Sequence, residues 1–249
     1  MRSVLLPIDI ATAETATFLC GWLGETPRRV LEIGAGDGHV AEALVRRGHE
    51  VVAVDADPES VARARARGVD AQVAEWPDFS DAPFDAVAFT RSLHHIEDLD
   101  GAVSRAAELL VPKGLVLVED FAFDTLDDPM VCSFRDQLRV IDAAVRLDAP
   151  DDSFVSTVLS GCGSLEILAT DVHRDLHTWI EMQEALLTRF SPVDTCSVPY
   201  LYRYLVRIAS ERAEMAGVVV AILASEVAAI SRSWIRPLGR RFVGRRSIK

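Results

Sequence analysis

A glycine-rich turn directly after a short apolar run is the feature that most restricts how this chain can fold. In the segment VLEIGAGDGHV, residues 30–40, the apolar run is followed by Gly34, Gly36 and Gly38. Glycine adopts backbone angles that are closed to other residues, and it lets a ligand approach the main chain without meeting a Cβ atom. A helix that starts after such a turn has free N–H groups that attract an anionic group. The turn therefore predicts a ligand-binding site at the end of a β-strand.

Short apolar runs alternate with helix-length segments between residues 29 and 120, a pattern that is typical of strand–helix–strand units in a parallel sheet. Strands that are covered on both faces are apolar throughout, as these runs are. The predicted strands are residues 30–33, 51–54, 71–74, 86–89 and 115–118, and the predicted helices between them are 39–47, 58–67 and 99–110.

The segments on either side of this alternation are less regular. We predict helices over residues 12–23, 133–147 and 175–190, a strand over 193–198, two helices within 200–230 and an extended element over 235–243. The whole chain is interpreted as one domain, made of an N-terminal helical lid (1–27), a ligand-binding core (28–120), a cap insertion (121–173) and a C-terminal part that completes the sheet (174–249).

The charge balance argues against a nucleic-acid partner. The chain has 38 acidic and 26 basic side chains and a net charge of -12, which repels a phosphate backbone. The last 18 residues differ, because they carry seven cations and no acid. We interpret this basic tail as a solvated edge with a few ion pairs, although such a tail also suits an acidic substrate or a membrane surface.

The chain carries no pattern that predicts export, a membrane span or a metal site. Asp9 and Glu14 interrupt the apolar core that a signal peptide needs, so we expect a cytoplasmic protein without a membrane partner. The most apolar stretch, residues 216–230, contains Glu226 and is too short for a bilayer, so it is predicted to be a buried helix. The four cysteines lie far apart and show no zinc-ligand spacing with the histidines, so no metal is expected.

The spacing of the glycines separates two classes of cofactor. A dinucleotide fingerprint is GxGxxG, whereas here the third glycine comes one residue earlier and Glu32 stands two residues before the first. This pattern resembles motif I of the class I S-adenosylmethionine-dependent methyltransferases, in particular their type 11-like small-molecule members. The resemblance implies S-adenosyl-L-methionine as cofactor, held at the glycine turn, with Glu32 holding its methionine portion directly or through water. It also implies a Rossmann-like, seven-stranded, mostly parallel α/β sheet with helices on both faces and a cap after the fifth strand.

An acidic residue ends the second predicted strand. Asp55 follows Gly34 by 21 residues, and a carboxylate at this place can accept hydrogen bonds from both hydroxyls of a ribose. The resemblance assigns it that role and places Ala56 against the adenine. Asp55 could instead cap the helix that starts at Pro58, but Asp57 is better placed for a cap.

The third and fourth strands end in further candidate residues. By resemblance, Glu75 and Trp76 lie at the adenine, Trp76 through its backbone N–H, although the match could shift toward residues 72–73 and Trp76 could be a core aromatic. The resemblance also places the backbone of Thr90 opposite the cofactor's amino group. His94 or His95 could remove a proton from a hydroxyl acceptor, and the alternative for either histidine is a structural role.

These observations predict methyl transfer from S-adenosylmethionine to a small-molecule acceptor, with O-methylation favoured over N- or C-methylation. One alternative is a protein of the same fold that binds the cofactor without methylating or uses it for another reaction. A nicotinamide-dependent oxidoreductase is disfavoured by the glycine spacing. A nonenzymatic interaction module would require the glycine turn to be vestigial, without a bound ligand. The acceptor-side candidates are Phe123, Phe134, Arg135, His173, His177, Trp179 and Tyr202.

Overall fold

The computed structural model describes residues 4–150, 153–161 and 175–247. Seven strands form one sheet in the order β3-β2-β1-β4-β5-β7-β6. The strands are β1 (Arg29–Ile33), β2 (Glu50–Asp55), β3 (Asp70–Val73), β4 (Phe84–Thr90), β5 (Leu110–Phe121), β6 (Phe190–Val198) and β7 (Gly239–Arg246). The prediction of a seven-stranded, mostly parallel sheet is confirmed. The last strand starts four residues later than the extended element predicted over 235–243.

Helices precede, connect and follow these strands. They are α1 (Pro7–Leu23), α2 (His39–Val45), α3 (Pro58–Ala66), α4 (Leu99–Leu109), α5 (Asp128–Val145), α6 (Phe154–Ser160), α7 (Trp179–Leu187), α8 (Leu201–Ala209) and α9 (Ala216–Ser231). Short 3-10 turns occur at Leu93–His95, Phe123–Thr125 and Ala213–Met215. Helices α2, α3 and α4 agree with the predictions to within two residues at each end.

Two helices begin five residues earlier than predicted, because the start signals lie upstream of the apolar pattern. Helix α1 was expected over 12–23 but begins at Pro7, since proline suits the first helical position. Helix α5 was expected over 133–147 but begins directly after Asp127, whose side chain accepts a hydrogen bond from the backbone N–H of Met130.

Helix α7 is shorter than the predicted segment 175–190. It begins at Trp179 because Thr178 and Glu181 form a capping box, in which each side chain accepts a hydrogen bond from the other residue's backbone N–H. At the other end, Phe190 already belongs to strand β6. The capping residues, rather than the extent of the amphipathic pattern, therefore set the length of this helix.

Strand β1 lies between two parallel neighbours and sets the position of the ligand cleft. It pairs with β2 on one side and β4 on the other, so that Ile33 lies opposite both Val54 and Phe89. Strands β2 and β3 extend the sheet on one side of β1, and β4, β5, β7 and β6 extend it on the other. In open α/β sheets, ligands bind at such a switch point, outside the carboxyl ends of the strands.

The chain divides into two compact units. The first unit comprises Thr12–Asp120, His177–Cys196 and Arg240–Lys249, and it contains nearly all of the sheet. Its apolar core joins α1, α2 and α3 to one face of the strands, through residues such as Leu19, Leu44, Val61, Ala88 and Leu117. Strands β1 and β2 are also buried on their other face, as the predicted two-sided helical cover requires.

The second unit comprises Met1–Ala11, Phe121–Leu176 and Ser197–Gly239. It includes the segment 121–173 that was predicted as a cap, together with flanking residues that the prediction assigned to the lid and the C-terminal part. The division of a single domain into lid, core, cap and C-terminal part therefore stays a prediction. The core of the second unit is aromatic, with Phe121 stacked on Tyr200 at 4.6 Å and Phe154 stacked on Tyr204 at 4.0 Å between ring centroids.

Helix α9 is buried on one face only, so the prediction of a buried helix is wrong for its other face. Ile222 and Glu226 face the core of the second unit, whereas Val220 and Val227 are exposed. Ala213–Ser231 is the one segment among the described residues that is long and apolar enough to cross a membrane, with a mean hydropathy of 1.9 and 33% of the window buried. Core helices of proteins without membrane spans pass the same test.

Hydrogen bonds to the carboxylate of Glu226 explain why this charged residue occurs in an apolar helix. Its oxygens accept hydrogen bonds from the backbone N–H groups of Tyr200, Leu201 and Tyr202, at 2.6 to 3.1 Å. These groups start helix α8 and have no partner within that helix. Burial raises the pKa of the Glu226 carboxyl, and the three backbone hydrogen bonds act in the opposite direction. Glu226 therefore serves as a cap supplied by a distant helix.

The basic tail is only partly the solvated edge that was predicted. Arg236 forms the expected kind of surface ion pair, with Asp127 at 2.8 Å. In contrast, the side chain of Arg241 is only 15% exposed and lies 2.6 Å from the buried carboxylate of Glu119. Lys249 lies outside the described residues.

Candidate active site at the carboxyl ends of the strands

The glycine turn lies in the first unit between β1 and α2, and its three glycines have positive φ angles of 66°, 53° and 75°. A side chain at Gly34 would collide with Ser92, and one at Gly38 would collide with Ala64. A Cβ atom at Gly36 would have no neighbour within 4 Å. The outer glycines are therefore required by packing, whereas Gly36 presents its backbone to open space where a ligand could approach.

Strand β2 holds the glycine turn in place. The backbone N–H groups of Gly34 and Ala35 both donate to the carbonyl of Val54, at 2.9 and 3.1 Å. The N–H of Gly36 donates to Asp55 Oδ2 at 2.7 Å. The structure thus brings Asp55 into direct contact with the turn, as expected for two features of one binding site.

The alternative role of Asp55 as a helix cap is wrong. The cap of α3 is Asp57, whose side chain accepts hydrogen bonds from the N–H groups of Glu59 and Ser60. Asp55 Oδ1 instead accepts the N–H of Asp57 at 2.9 Å. Each oxygen of Asp55 thus has one backbone donor, and since a carboxylate oxygen has two lone pairs, both can accept a further hydrogen bond.

Glu32 is a buried carboxylate whose hydrogen bonding is incomplete. Its side chain is 1% exposed, and its Oε1 accepts a hydrogen bond from the hydroxyl of Thr90 at 2.7 Å. Its Oε2 has no hydrogen-bond partner among the described residues. Burial raises the pKa of the Glu32 carboxyl to about 7, although the hydrogen bond from Thr90 and the charge of Arg91 both lower it. An unpartnered buried carboxylate oxygen is costly, and a bound cation would supply its missing partner.

The charge of Arg91 acts on that carboxylate, and Arg91 is held in a strained conformation. Its φ angle of 63° is unusual for a residue other than glycine. Its guanidinium donates to Glu119 at 3.1 Å and to the hydroxyl of Thr15 at 3.2 Å. Glu119 also binds Thr15 at 2.6 Å and Arg241 at 2.6 Å. Strands β5 and β7 and helix α1 therefore fix Arg91 beside the carboxyl end of β1.

The two candidate catalytic histidines differ in their surroundings. His94 is 4% exposed, and its Nδ1 lies 2.6 Å from Oδ1 of Asp120, which is fully buried. His95 is exposed, and its ring centroid lies 4.0 Å from that of His94. A buried carboxylate therefore lies against one ring nitrogen of His94, which is compatible with the predicted role of a general base.

The adenine-side candidates lie where β3 ends. Glu75 is exposed and Trp76 is partly buried. The indole N–H of Trp76 donates to the carbonyl of Ala102 in α4 at 3.3 Å, and its ring meets Phe89 edge-on at 6.2 Å. The side chain of Trp76 therefore packs in the manner of the core alternative, while the role predicted for its backbone N–H is independent of that packing. Ala56 directly follows Asp55 and is exposed.

The described acceptor-side candidates are divided between the two units. Phe123, Phe134 and Tyr202 are buried core residues of the second unit. In the first unit, His177 donates its backbone N–H to the carbonyl of His94 at 3.0 Å, and its Nε2 lies 3.1 Å from the carbonyl of Ile96. Arg135 donates to a cysteine sulfur and Trp179 is buried, while His173 lies outside the described residues.

Sequence reasoning did not single out Asp120, Glu119 or Thr15. A signal for the first two was present, because Glu119 and Asp120 directly follow the predicted fifth strand, and acidic residues at a strand's carboxyl end commonly face a ligand cleft. Nothing in the sequence pointed to Thr15, whose partner lies 104 residues away.

The residues of the cleft fit S-adenosylmethionine. Glu32 supplies a carboxylate oxygen that lacks a partner, which suits an ammonium group. Asp55 supplies acceptor positions beside the open backbone of Gly36, which suits a pair of ribose hydroxyls.

Comparison with known proteins agrees with this fit. A family model described as a methyltransferase domain matches residues 11–185, more than half of the chain. The chain is 38% identical over 104 residues to an uncharacterized methyltransferase of Mycobacterium bovis, covering 39% of this chain and 52% of that protein. It is 37% identical over 103 residues to the ubiquinone biosynthesis O-methyltransferase of Xylella fastidiosa, covering 36% of this chain and 40% of that protein. The matches thus span about half or less of these relatives' lengths.

A solved structure shares the fold. Phosphoethanolamine N-methyltransferase 2 of Haemonchus contortus, in complex with S-adenosyl-L-methionine, superimposes with a TM-score of 0.59 at 18% identity, covering 95% of this chain and 53% of that one. The Rossmann-like fold is therefore confirmed. The match to the methyltransferase family confirms S-adenosylmethionine as the cofactor. The chain belongs to the class I S-adenosylmethionine-dependent methyltransferases.

Proposed function

We propose that this protein transfers a methyl group from S-adenosylmethionine to a small-molecule acceptor, and that the acceptor atom is a hydroxyl oxygen. The observation that carries the proposal is the pairing of two carboxylates at neighbouring strand ends. Glu32 presents a buried oxygen without a partner, and Asp55 is bonded to the glycine turn beside it. Together they are complementary to a nucleoside that carries a cationic amino acid.

Each residue of the cleft has a proposed binding role. Asp55 accepts hydrogen bonds from the ribose hydroxyls, and Glu32, held by Thr90, receives the ammonium group. Arg91 lies beside Glu32 and can receive the carboxylate of the same amino acid. Gly34, Gly36 and Gly38 form the turn along which the cofactor lies, with Gly36 giving the closest approach. Ala56, Glu75 and Trp76 are proposed to flank the adenine.

Positioning supplies most of the catalysis in this proposal. When bound, S-adenosylmethionine supplies an electrophilic methyl group on a positively charged sulfur. The protein holds the acceptor in line with that group, and such orientation is worth about 7 to 11 kcal/mol in favourable intramolecular models. A hydroxyl acceptor also needs a proton acceptor, for which His94 is proposed. An amine acceptor could react without a base once it is neutral.

Two observations favour oxygen as the methylated atom. One is the buried histidine–carboxylate pair of His94 and Asp120, which an amine acceptor would not need. The other is the similarity to the ubiquinone biosynthesis O-methyltransferase of Xylella fastidiosa, which covers 36% of this chain.

The proposed partner is a small molecule, and a cytoplasmic location without nucleic-acid or membrane partners is proposed with it. The net charge of -12 supports the exclusion of nucleic acid. The segment 121–173 is proposed to act as a cap.

The test is formation of S-adenosylhomocysteine by the full-length protein with a panel of acceptors. The panel contains a catechol (3,4-dihydroxybenzoate), a tricarboxylate (trans-aconitate) and an amine (sarcosine), and isotopically labelled methyl groups are traced into the products. Labelled methyl on a hydroxyl oxygen, absent with Asp55→Ala, is expected. Transfer only to nitrogen or to a carboxylate oxygen would contradict the choice of atom. Cofactor binding without transfer to this panel or to a small-molecule extract would favour the alternative of a cofactor-binding protein that does not methylate.

A further inference from the structure

Glu119 is a buried carboxylate that binds two arginines and a threonine from three other parts of the chain. Its side chain is 1% exposed, and it lies in β5 opposite Thr90 of β4. Its Oε1 accepts hydrogen bonds from Nη1 of Arg91 at 3.1 Å and from the hydroxyl of Thr15 in α1 at 2.6 Å. Its Oε2 accepts a hydrogen bond from Nε of Arg241 in β7 at 2.7 Å. Since a buried carboxylate is costly unless such partners replace the lost water, these contacts explain how Glu119 is tolerated.

Arg91 is held on Glu119 through its backbone as well as its side chain. Its N–H donates to the carbonyl of Glu119 at 2.7 Å, and its Nη1 also donates to the hydroxyl of Thr15 at 3.2 Å. These contacts accompany a φ angle of 63°, which residues other than glycine rarely adopt. Such strain persists only where the surrounding structure fixes it, and it is concentrated at functional sites. The conformation of Arg91 therefore depends on β5 and on α1.

Arg241 joins helix α1 to the same carboxylate. Its Nη2 lies 2.6 Å from Oε2 of Glu119 and donates to the carbonyl of Glu14 at 3.2 Å. Its guanidinium carbon lies 4.8 Å from the centre of the Phe18 ring. The segment of α1 that carries Thr15 is thereby fixed to β5 and β7.

These contacts use only one nitrogen of the Arg91 guanidinium. The side chain is 28% exposed, and no hydrogen bond from its Nε or Nη2 is recorded within residues 4–150, 153–161 and 175–247. The charge of Arg91 acts on Glu32, the residue proposed to receive the ammonium group of the cofactor. In methionine the carboxylate is attached to the carbon that carries this ammonium group, and a guanidinium binds a carboxylate through two parallel hydrogen bonds. The remaining donors of Arg91 therefore suit that carboxylate.

We propose that Glu119 and Thr15 are positioning residues, which hold Arg91 so that its remaining guanidinium donors bind the carboxylate of S-adenosylmethionine. Their effect is specificity, because the cleft then distinguishes the complete cofactor from the same compound without its carboxylate. This inference rests on the cofactor placement of the proposed function and adds the residues that fix one part of it. It makes no use of the acceptor.

The first test is calorimetric titration of the full-length protein at pH 7.5 with two ligands. They are S-adenosylmethionine and its decarboxylated form, which keeps the sulfonium and the ammonium group and lacks only the carboxylate. We expect the unmodified protein to bind S-adenosylmethionine about 30-fold more tightly than the decarboxylated form, as hydrogen bonds to a charged group allow. Arg91→Met should remove most of this preference by weakening S-adenosylmethionine alone. Arg46→Met, which removes an exposed arginine of the same unit, should leave the preference unchanged.

The positioning role is tested by the same two titrations on Thr15→Val and Glu119→Gln. Thr15→Val keeps the shape of the side chain and removes the hydroxyl between Arg91 and Glu119, so the preference should fall about fivefold. Glu119→Gln removes the charge that holds Arg91, and the preference should fall about tenfold. Thr17→Val, at an exposed position of α1, should leave it unchanged. A merely structural role would weaken both ligands equally, so the ratio of the two affinities separates positioning from general damage.

Several results would overturn the inference. Equal binding of both ligands by the unmodified protein, or equal weakening of both by Arg91→Met, would show that Arg91 does not bind the carboxylate. An unchanged preference in Thr15→Val and Glu119→Gln would show that these residues do not position Arg91. If Glu119→Gln does not fold, as judged by thermal melting, Thr15→Val decides in its place.

Failure of the proposed function has a different signature, because none of these titrations depends on methyl transfer. Transfer to a hydroxyl oxygen together with equal binding of the two ligands would overturn the inference alone. Selective binding of the complete cofactor without transfer to any hydroxyl would contradict the proposed function alone. Failure to bind either ligand would contradict both.

Discussion

The affinity of the cleft for S-adenosylmethionine should rise about fivefold between pH 6 and pH 7, because Glu32 must be ionised to bind a cation. Burial raises the pKa of this carboxyl from 4.5 to about 7. With that pKa, about 9% of the groups are ionised at pH 6 and about 50% at pH 7, and apparent affinity follows the ionised fraction. Binding at pH 6 should release close to one proton.

The matched variants are Glu32→Gln and Glu25→Gln. The first keeps the shape of the side chain and removes its charge, so its affinity should be nearly independent of pH in this window. The second removes an exposed carboxylate and should follow the unmodified protein. The α-amino group of the ligand stays protonated below pH 7, since such groups titrate near 8, so the window isolates the protein's contribution.

The assay is calorimetric titration with S-adenosylmethionine at pH 6.0, 6.5 and 7.0, in buffers of different ionisation enthalpy so that proton release is counted. If the affinities of the unmodified protein and of Glu32→Gln changed equally with pH, Glu32 would not be the group whose ionisation controls binding. Equal affinities of these two proteins at pH 8 would refute the contact between Glu32 and the cofactor.

The same carboxyl makes a prediction for stability without ligand. Its pKa is higher in the folded protein than in the unfolded chain, so the folded state binds the proton more tightly, and stability falls as the pH rises from about 4.5 through 7. The shift corresponds to about 3 kcal/mol when the group is fully ionised. Glu32→Gln should therefore resemble the unmodified protein at pH 5 in urea unfolding and be more stable at pH 8. A lower stability of the variant at pH 8 would contradict this expectation.

Three further substitutions, two of them with a matched control, test the other contacts. Asp55→Ala should weaken S-adenosylmethionine binding in calorimetry about 100-fold, because it removes charge-assisted hydrogen bonds. Asp57→Ala should lower stability through the lost cap and leave affinity unchanged, and similar affinities of the two variants would count against the ribose role. Gly36→Ala and Gly24→Ala should both lose about 1 kcal/mol of stability, since both glycines have positive φ and open surroundings, but only Gly36→Ala should lower affinity. Glu119→Gln should lower the free energy of unfolding by about 3 kcal/mol in urea titration, because it leaves two arginines without a buried counter-charge. A loss below about 1 kcal/mol would show that these ion pairs are not needed for stability.

The errors of sequence reasoning in this chain have local physical causes. Helix ends were misplaced where a cap lies outside the apolar pattern, as at Asp127 and Thr178. The basic tail was interpreted by composition alone, which does not distinguish the exposed Arg236 from Arg241 on a buried carboxylate. Composition also did not show that α9 leaves an apolar face exposed.

The alternation of apolar runs and helical segments was sufficient to predict the parallel core, because side-chain periodicity and chain connectivity are properties of the sequence. The glycine turn, Glu32 and Asp55 were also located from the sequence, because Glu32 lies in the first predicted strand and Asp55 directly follows the second. What the sequence left open was which side chain contacts the ring of His94. Only the tertiary structure decided that, because the order of the strands, and not distance along the chain, brings Asp120 to this ring.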